Sequence, residues 1–591
     1  MEECLAGVQN QPISDIIKVP RTDPIYNCHG YLTKVPVGAI IPFINHYSKP
    51  TEKVADIFAG SGMTGIAAVM SGRDVELSDI SVLGQHIAQG YLAKVTPQEL
   101  TKAAKSVVSK TRKKFGHYYQ TIREEDGTDI ELVRTIWSFV YACPKCGYEL
   151  IFYDHVMLPE AERKDVCPEC DTKFSRRTWN GGSDIPVKVV VKGVQGKQIE
   201  QDIQEIDFQN INDAKAEDIL SKVPSLSIDP EREMYSRSGL KNRGLTETKK
   251  FFSARNAIIL TELWDNISKI EEERIRKKLQ FAFTAILPRA SRRYQWSKQR
   301  PLNAQNQTYY ISPVYFEWNV FELFLRKVNA AKKSDDVIYN SSDVFGDIEH
   351  GNARYSLASA DLLEHLDSDS IDYIFTDPPF GSNIFYSDMS LFHEAWIGQT
   401  TDNANEAVIH TCGKKKVNAA VRYGELLKGA FKEAYRVLKP GKYMSVVFGN
   451  SKGNVWSLVL TALREAGFDS VPDHIAILDK GQRSVKGLSS GSESVVTVDL
   501  IMTVHKPTDK AAGESNVKWR QAEPEELIEA AIFDAENGDA KNPSYVYAHI
   551  LREAIKRHLL VDNLHLSDVL IALRKAGYSV DPKTGKLSSP N

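Results

Sequence analysis

The sequence contains no apolar run that approaches the ~20 residues needed to cross a bilayer. Its first residues, with Glu2 and Glu3 after Met1, lack the apolar segment of a secretory signal. It also lacks an excess of positive charge, since the formal net charge is -3. We therefore expect a cytoplasmic protein without membrane spans, in which any surface for nucleic acid is a local concentration of lysine and arginine.

Cysteine is scarce, with seven in 591 residues, and four of the seven form two C-x-x-C pairs separated by 20 residues. A reducing compartment argues against disulfides, whereas four thiolates at this spacing can close a tetrahedral zinc site. Such a site leaves no open coordination position, so its role would be structural. We predict a zinc ribbon over residues 140–175 with a bound Zn²⁺ and the ligands Cys143, Cys146, Cys167 and Cys170.

The chain also lacks internal repeats and low-complexity tracts, so its length must be divided among ordinary domains. A single hydrophobic core rarely fills 591 residues, and this length predicts roughly three or four units. Apolar residues at 42% and charged residues at 26% are typical of a globular protein and argue against a disordered chain.

An aspartate, two prolines and a phenylalanine stand just after a short apolar strand, predicted over Ile371–Phe375. The prolines hold the backbone extended and remove two N–H donors, so this segment presents acceptors. The Asp377 carboxylate and the Pro378 carbonyl could take both hydrogens of an exocyclic amine, and Phe380 could stack on its ring. The candidate catalytic residues are Asp377, Pro378, Pro379 and Phe380. Taken alone, the tetrapeptide is more simply a rigid turn.

A second pattern lies more than 300 residues earlier and is typical of a nucleoside-binding turn. Gly60, Gly62 and Gly65 fit G-x-G-x-x-G between a short strand and a helix rich in small residues. The next predicted strand, Asp74–Ser78, ends at Asp79, where a Rossmann-type unit places its ribose-binding acid. The glycines alone are a weak signal, and a dinucleotide could satisfy them as well.

Together the two segments resemble the amino-group methyltransferases that use S-adenosylmethionine, most of which modify adenine N6 or cytosine N4 in DNA. The Asp-Pro-Pro-Phe segment resembles their catalytic motif, with Phe380 in place of the commoner tyrosine. The segment from Asp56 to Thr64, with its Phe-Ala-Gly-Ser-Gly core, resembles their cofactor motif. The resemblance covers about residues 29–90 and 345–506, and it implies S-adenosyl-L-methionine as the cofactor.

The resemblance also implies which residues hold the cofactor. Lys34 lies in a segment that resembles the one packed beside the methionine end, although without the family it would be a solvated lysine. Asp361 matches the residue that contacts the adenine. The candidate cofactor-binding residues are therefore Lys34, Asp56, Phe58, Ala59, Gly60, Ser61, Gly62, Thr64, Asp79, Ile80 and Asp361.

Residues 96–340 leave this pattern and are predicted to be a target-recognition insertion, with one long helix over Ala257–Leu287. Arginines and aromatics alternate without acids near residues 289–300, which is typical of phosphate contact and base stacking, although a solvated loop explains them equally well. A polar stretch over Gln399–Tyr423 is predicted to be a mobile lid. The candidate nucleic-acid-binding residues are Arg289, Arg292, Arg293, Tyr294, Trp296, Lys298, Arg300, Lys414, Lys415 and Lys416.

The last part of the chain is predicted to form a separate small helical domain, with helices at Pro524–Asn537, Tyr545–Leu559 and Leu566–Ala576. Residues Leu564–Tyr578 could belong to a helix-turn-helix. A packing or dimer module explains these helices at least as well. In the helix-turn-helix alternative, the phosphate contacts would be Arg552, Lys556, Arg557, Arg574 and Lys575.

The predicted fold class is α/β, a Rossmann-like class I methyltransferase sheet with a large zinc-ribbon-containing insertion and a small C-terminal helical domain. The predicted units are an N-terminal lead-in at 1–28, a first core part at 29–95, the insertion at 96–340, a second core part at 341–506 and the helical domain at 507–591.

The resemblance implies a site-specific DNA adenine-N6 methyltransferase of the restriction–modification or phage-defence kind. Its partners would be double-stranded DNA and restriction or phage-defence subunits, and the target base would flip out of the duplex. Cytosine N4 is the close variant. An RNA guanine-N2 methyltransferase stays open, because Thr-Asp-Pro-Pro also occurs in that family. A non-catalytic DNA-binding subunit that retains the fold is the alternative outside enzymes.

Overall fold

The computed structural model describes residues 13, 16–20, 22–157, 165–297, 309–340, 351–382, 384–479, 496–508, 519–523, 527–528, 542–581 and 587–588. Lys298, Arg300 and most of the predicted helix Pro524–Asn537 lie outside the described residues. Within these ranges, no helix is both long and apolar enough to span a membrane.

A mixed eight-stranded sheet forms the centre of the fold. Its strands are β1 (Ile16–Lys18), β2 (Lys53–Asp56), β3 (Asp74–Asp79), β4 (Ala353–Leu357), β5 (Ile371–Thr376), β6 (Leu438–Phe448), β7 (Asp469–Asp479) and β8 (Asp499–His505). They lie in the order β1-β7-β8-β6-β5-β2-β3-β4. Neighbours are parallel except β8, which runs antiparallel to β6 and β7. This mixed α/β sheet fits the methyltransferase fold that the resemblance implies.

The strand order reverses between β2 and β5, and this reversal positions the two motifs. The pairing places Tyr373 beside Val54 and Ile374 beside Ala55. Open α/β sheets bind ligands outside the carboxyl ends of the strands at such a reversal. Because β2 ends at Asp56 and β5 at Thr376, both motifs begin at this one edge.

Alternating side chains of the strands face two hydrophobic layers. Val54, Tyr373 and Phe375 lie in one buried cluster with three helices, whereas Ala55 and Ile374 lie in the other. The helices of the first layer are α1 (Val37–Tyr47), α2 (Met63–Met70) and α3 (Val82–Leu92), and the later helices of the core are α4 (Tyr386–Ile397), α5 (Ala419–Val437) and α6 (Gly453–Glu465). Helices α5 and α6 cover the second face.

The insertion leaves the core after α3, returns at β4 and contains a second, antiparallel sheet. Its strands lie in the order Val314–Trp318, Arg134–Ala142, Asn180–Lys192 and Gln198–Asp202, and Glu149–Ile151 also pairs with Arg134–Ala142. Gln120–Ile122 pairs separately with Asp129–Glu131. The helices around these strands are Pro97–Phe115, Glu205–Lys215, Glu233–Arg237, Ala254–Ser268, Glu273–Thr284, Leu287–Ala290 and Val320–Asn340.

The single long helix predicted over Ala257–Leu287 is wrong, because the chain forms two helices that end and begin at Ser268 and Glu273. Leu263 in the first helix and Leu279 in the second are fully buried in the same cluster. Folding the segment back lets two apolar faces bury each other, which one straight helix could not do.

The C-terminal helices α7 (Pro543–Lys556) and α8 (Leu566–Lys575), predicted to form a separate domain, pack against the core in this structure. Leu551 and Val569 share a hydrophobic cluster with α5, α6 and the main sheet. A Cβ added at Gly453, at the start of α6, would lie 1.7 Å from the carbonyl oxygen of Val561. The segment around α7 and α8 therefore completes the core. The helix-turn-helix function of Leu564–Tyr578 stays a prediction.

We expect Leu551→Ala to lower the free energy of unfolding of the core by about 2–5 kcal/mol, because it leaves a cavity in a shared cluster. Leu551 is 2% exposed. Hydrogen exchange in β8 should become faster, since α7 packs against β7 and β8. The control is Ile571→Ala on α8, where the side chain is 51% exposed and little should change. Unchanged exchange in β8 for Leu551→Ala would indicate an independent helical domain.

Candidate active site

One cleft at the carboxyl edge of β2, β3 and β5 is lined by both motifs. It encloses about 1000 Å³ of empty space including its open mouth, enough for a nucleoside-sized cofactor beside a substrate group. Asp377 and Pro379 of the catalytic segment line it. Of the predicted cofactor residues, those that line it are Lys34, Asp56, Phe58, Ala59, Gly60, Ser61, Thr64, Asp79, Ile80 and Asp361.

Gly62 does not line the cleft but lies beneath it. Its φ of +77° belongs to the left-handed region, and an added Cβ would lie 2.6 Å from the Cβ of Ala88. A side chain is therefore excluded twice, by backbone conformation and by space. The turn brings α2 against α3 and presents the backbone of Gly60 and Ser61 to the cleft.

Asp56 at the end of β2 joins the two motifs through its buried carboxylate. The Thr64 hydroxyl donates to one oxygen over 2.6 Å, and the Thr376 hydroxyl donates to the other over 2.8 Å. The backbone N–H of Phe58 also donates to it, over 3.1 Å. Burial raises the pKa of Asp56 to about 6, and these hydrogen bonds limit the rise. The start of the cofactor turn and the end of β5 are thus held by one side chain.

Asp79 at the end of β3 accepts two backbone hydrogen bonds. The Gly60 N–H donates over 2.8 Å and the Ser81 N–H over 2.9 Å, each to a different carboxylate oxygen. Burial raises the pKa of Asp79, and these N–H groups lower it again. Because each oxygen has a second lone pair, the carboxylate still offers acceptors to a ribose.

Lys34 is buried, not solvated, and it donates from Nζ to the carbonyls of Tyr26 and His29 over 2.5 and 2.8 Å. Burial lowers its pKa to about 7. Asp361, on the far side of the cleft, accepts from the Ser359 hydroxyl and packs on α5, where a Cβ at Gly429 would be 2.7 Å from its own. Both residues line the cleft, and their contacts with a cofactor stay predictions.

The catalytic segment is held from its far end. Tyr423 donates to the Pro379 carbonyl over 2.6 Å, and the Asn450 amide donates to the Phe380 carbonyl over 2.8 Å. The Phe380 ring is partly buried and meets Phe448 edge-on at 5.1 Å. In the part of the chain that the structure describes, no hydrogen bond is made to the Pro378 carbonyl. That carbonyl therefore stays available as an acceptor.

Residues 398–418 between α4 and α5, which we call the strap, supply one wall of the cleft. Thr401, Asn405, Glu406 and Ala407 line it. The strap overlaps the predicted mobile lid, and in this structure it is hydrogen-bonded to the insertion. Glu233 accepts from the backbone N–H groups of Thr411 and Cys412, the latter over 2.8 Å.

Two aromatic residues, Tyr31 and Tyr386, line the cleft although the sequence analysis did not predict them as site residues. Their rings stack at 6.1 Å, and the Tyr386 hydroxyl bonds to Thr33 over 2.7 Å. Tyr31 precedes Lys34 in the predicted methionine-side segment, which was the available signal. Nothing in the local sequence singles out Tyr386 or the strap residues, because tertiary packing alone brings them to the cleft.

The basic-aromatic stretch is largely core, contrary to the prediction of a nucleic-acid surface. Tyr294 and Trp296 are 7% and 5% exposed and pack on Trp318 and Tyr153, so they cannot stack on a base in this conformation. Arg293 is buried beside Phe392, and burial lowers its pKa to about 10. Arg292 is paired with Asp184 over 2.7 Å.

The other basic candidates within the described residues are more accessible to solvent. Arg289 is exposed. In the strap, Lys414 is 91% exposed and 4.0 Å from Glu231, Lys416 is exposed, and Lys415 donates to the Asn403 side chain over 3.1 Å. These four residues stay candidates for phosphate contact.

The four cysteines of the insertion come together, with all sulfurs within 4.8 Å of one another. The pairs Cys143–Cys170 and Cys146–Cys167 are each 3.6 Å apart. A tetrahedral zinc with Zn–S bonds of about 2.3 Å needs sulfurs roughly 3.8 Å apart, so the cluster fits this ion. Both turns have a positive φ just after the second cysteine, 76° at Gly147 and 58° at Asp171.

Comparison with known proteins agrees with the cofactor motif. A family model described as a DNA methylase, N6_N4_Mtase, matches residues 9–95, and this match supports the resemblance to DNA amino-methyltransferases. No curated protein matches the chain. A solved structure from Thermus thermophilus, provisionally assigned as a DNA modification methylase, shares 14% identity over 30% of this chain and 60% of its own, with a TM-score of 0.16. That overlap is too small to support an argument about fold.

We expect Thr376→Val to cost about 1.5–3 kcal/mol of unfolding free energy, because the fully buried hydroxyl donates to a carboxylate. Burial holds the folded pKa of Asp56 near 6, above its ordinary value, so the stability it contributes below about pH 4 is lost as pH rises through 6. Without the Thr376 hydroxyl the pKa of Asp56 is raised further, so more of the unfolding free energy is lost between pH 4 and pH 7. Urea unfolding at pH 4 and pH 7 should therefore show a larger penalty at pH 7.

Thr376→Ser keeps the hydroxyl and is the control, which should stay close to the parent at both pH values. A penalty of the same size at pH 4 and pH 7 for Thr376→Val would show that packing, and not the bond to Asp56, is what the threonine provides.

Proposed function

We propose, from the match of residues 9–95 to a DNA methylase family model, that the chain transfers a methyl group from S-adenosylmethionine to an exocyclic amine. The amine belongs to a flipped base in double-stranded DNA, most simply adenine N6. The observation that carries the proposal is that the cofactor turn and the Asp-Pro-Pro-Phe segment, more than 300 residues apart, line one cleft. We further propose a role in restriction–modification or phage defence, with such subunits as partners.

In the proposed reaction the protein positions the amine and supplies acceptors. The Asp377 carboxylate and the Pro378 carbonyl accept hydrogen bonds from the two N–H groups of the amine, so the nitrogen lone pair points at the methyl group. Phe380 packs on the base. The cofactor supplies a methyl group activated by a sulfonium. Transfer would form an N–C bond as the S–C bond of the donor breaks, the donor would be left as a neutral thioether, and the surplus proton of the amine would pass to water.

The cofactor would be held by the residues around the glycine turn. Asp79 has acceptors left for the ribose, and Asp361 lies across the cleft for the adenine. Lys34 lies at the end where the resemblance places methionine, and a lysine there complements the carboxylate of that moiety. The choice of S-adenosylmethionine over a dinucleotide rests on the Asp-Pro-Pro-Phe segment at the same cleft and on the match to the DNA methylase family model.

Methyl transfer from labelled cofactor to duplex DNA, with tRNA as the competing substrate, tests the proposal. Label in adenine supports it, and label in cytosine would assign the N4 variant. Label in tRNA guanine would assign the RNA alternative, and no incorporation into any nucleic acid would favour a non-catalytic DNA-binding subunit. Long-read sequencing of DNA from cells that express the chain would give the base and the target sequence.

Two variants should separate chemistry from cofactor binding. Asp377→Ala removes the acceptor of the target amine, so we expect turnover to fall on the order of 10²-fold or more while cofactor affinity is kept. Asp79→Ala removes the ribose acceptor, so we expect weak cofactor binding with activity partly restored at high cofactor concentration. Calorimetric titration and a methylation time course measure both. Parental turnover by Asp377→Ala on saturating DNA would remove the catalytic assignment.

We also propose that Cys143, Cys146, Cys167 and Cys170 hold a structural Zn²⁺. The sulfur spacing supports it, and the cluster closes the end of the hairpin formed by Arg134–Ala142 and Glu149–Ile151. Because the strand Arg134–Ala142 also pairs with Val314–Trp318 and Asn180–Lys192, the metal would stabilise the sheet of the insertion.

We expect one zinc per chain in metal analysis of freshly purified, reduced protein. Cys143→Ser should lose the metal and increase protease cleavage in the insertion, because a thiolate ligand is gone. Cys412→Ser is the control, since Cys412 lies outside the cluster and should leave metal content unchanged. Reduced parental protein without zinc would refute the ribbon.

A further inference from the structure

One carboxylate in the cleft has no part in the proposed reaction. Glu406, on the strap, is 4% exposed and lies against the N-terminus of α4. The Ser387 N–H donates to one of its oxygens over 3.0 Å, and the Ser387 hydroxyl donates to the other over 2.5 Å. By themselves these contacts describe a helix cap, which needs no ligand.

The surroundings of Glu406 give it a second property. Among the described residues that line the cleft, five carry a carboxylate and one, Lys34, carries an ammonium group. Burial is the main reason why the pKa of Tyr386 is raised, and the negative charges of Asp377, Glu406 and Asp79 raise it further. Three carboxylates, from the strap, the catalytic segment and the end of β3, therefore act on one hydroxyl in the same part of the cleft.

We infer that Glu406 makes this cleft select the positively charged methyl donor over the neutral product left after transfer. The inference rests on the proposed function. S-adenosylmethionine differs from S-adenosylhomocysteine by one methyl group on the sulfur and by the positive charge that this methyl group gives the sulfur. In a partly dehydrated site, one carboxylate several ångströms away changes the affinity for such a charge on the order of tenfold. The same preference favours release of the spent cofactor.

Glu406 is suited to this role because neutral groups hold it in place. Its described hydrogen bonds come from the Ser387 N–H and hydroxyl, so these contacts leave its charge uncancelled. Burial raises the pKa of Glu406 and Asp388 raises it further, whereas the Ser387 hydrogen bonds and Arg232 lower it. Arg232 is itself paired with Asp388 over 3.0 Å. Lys34 donates to backbone carbonyls of its own segment, over 2.5 and 2.8 Å. A cation that enters the cleft therefore meets the charge of Glu406 largely uncompensated.

The test is calorimetric titration of S-adenosylmethionine and S-adenosylhomocysteine into the full chain and two variants. Glu406→Gln keeps the shape, and the Ser387 hydroxyl can rotate to accept from the new amide, so the cap is preserved. We expect it to weaken S-adenosylmethionine binding about tenfold while S-adenosylhomocysteine binding changes little. Glu406→Asp keeps the charge and should retain most of the parental ratio of the two dissociation constants.

An unchanged ratio in Glu406→Gln would overturn the inference. An equal weakening of both ligands would also overturn it, because Glu406 would then hold the shape of the strap and not select by charge. Thermal melts of the three proteins check that the fold is kept. If the parent binds neither ligand, the proposed function fails. If the parent binds both and the ratio is insensitive to Glu406, this inference alone fails.

Discussion

The buried carboxylate of Asp56 is the constraint on which the site depends. It takes hydrogen bonds from Thr64 at the start of α2 and from Thr376 at the end of β5, so it fixes the cofactor turn against the strand that delivers the catalytic segment. A carboxylate buried without such donors would be costly, and burial already raises its pKa to about 6. The Asp56 carboxylate therefore needs the two threonine hydroxyls as donors, and they need it as an acceptor. This mutual need makes the contact between the cofactor turn and β5 specific.

The cleft is shaped as much by α4 and the strap as by the sheet. Helix α4 lies between the core and the insertion, where Phe392 meets Phe251 of the insertion at 4.8 Å and Asp388 accepts from Arg232 over 3.0 Å. The strap that follows α4 is held by Glu233 of the insertion. The insertion thus helps to close the cleft through the strap, although none of its described residues lines the cleft.

The local sequence was sufficient to predict the structure where the role of a residue follows from its neighbours in the chain. The strand–glycine–helix pattern and the strand before Asp377 predicted the part of the core formed by β2, α2 and β5. Local sequence failed for Tyr294 and Trp296, whose partners come from the distant strand Val314–Trp318 and from Tyr153. An arginine-aromatic stretch looks the same whether its rings face solvent or a packed sheet, and only long-range pairing decides.

The insertion interrupts the core at a place that leaves the sheet intact. The chain departs after α3 and returns at β4, which pairs directly with β3. The whole insertion therefore lies within a single connection between neighbouring strands of the sheet. Closing a longer connection costs only slightly more entropy, because the cost grows with the logarithm of its length. The insertion offsets that cost by packing on α3, where an added Cβ at Gly90 would lie 2.4 Å from the Cβ of Phe281. Because the sheet stays intact, β5 pairs with β2, and two motifs so far apart in sequence meet in one cleft.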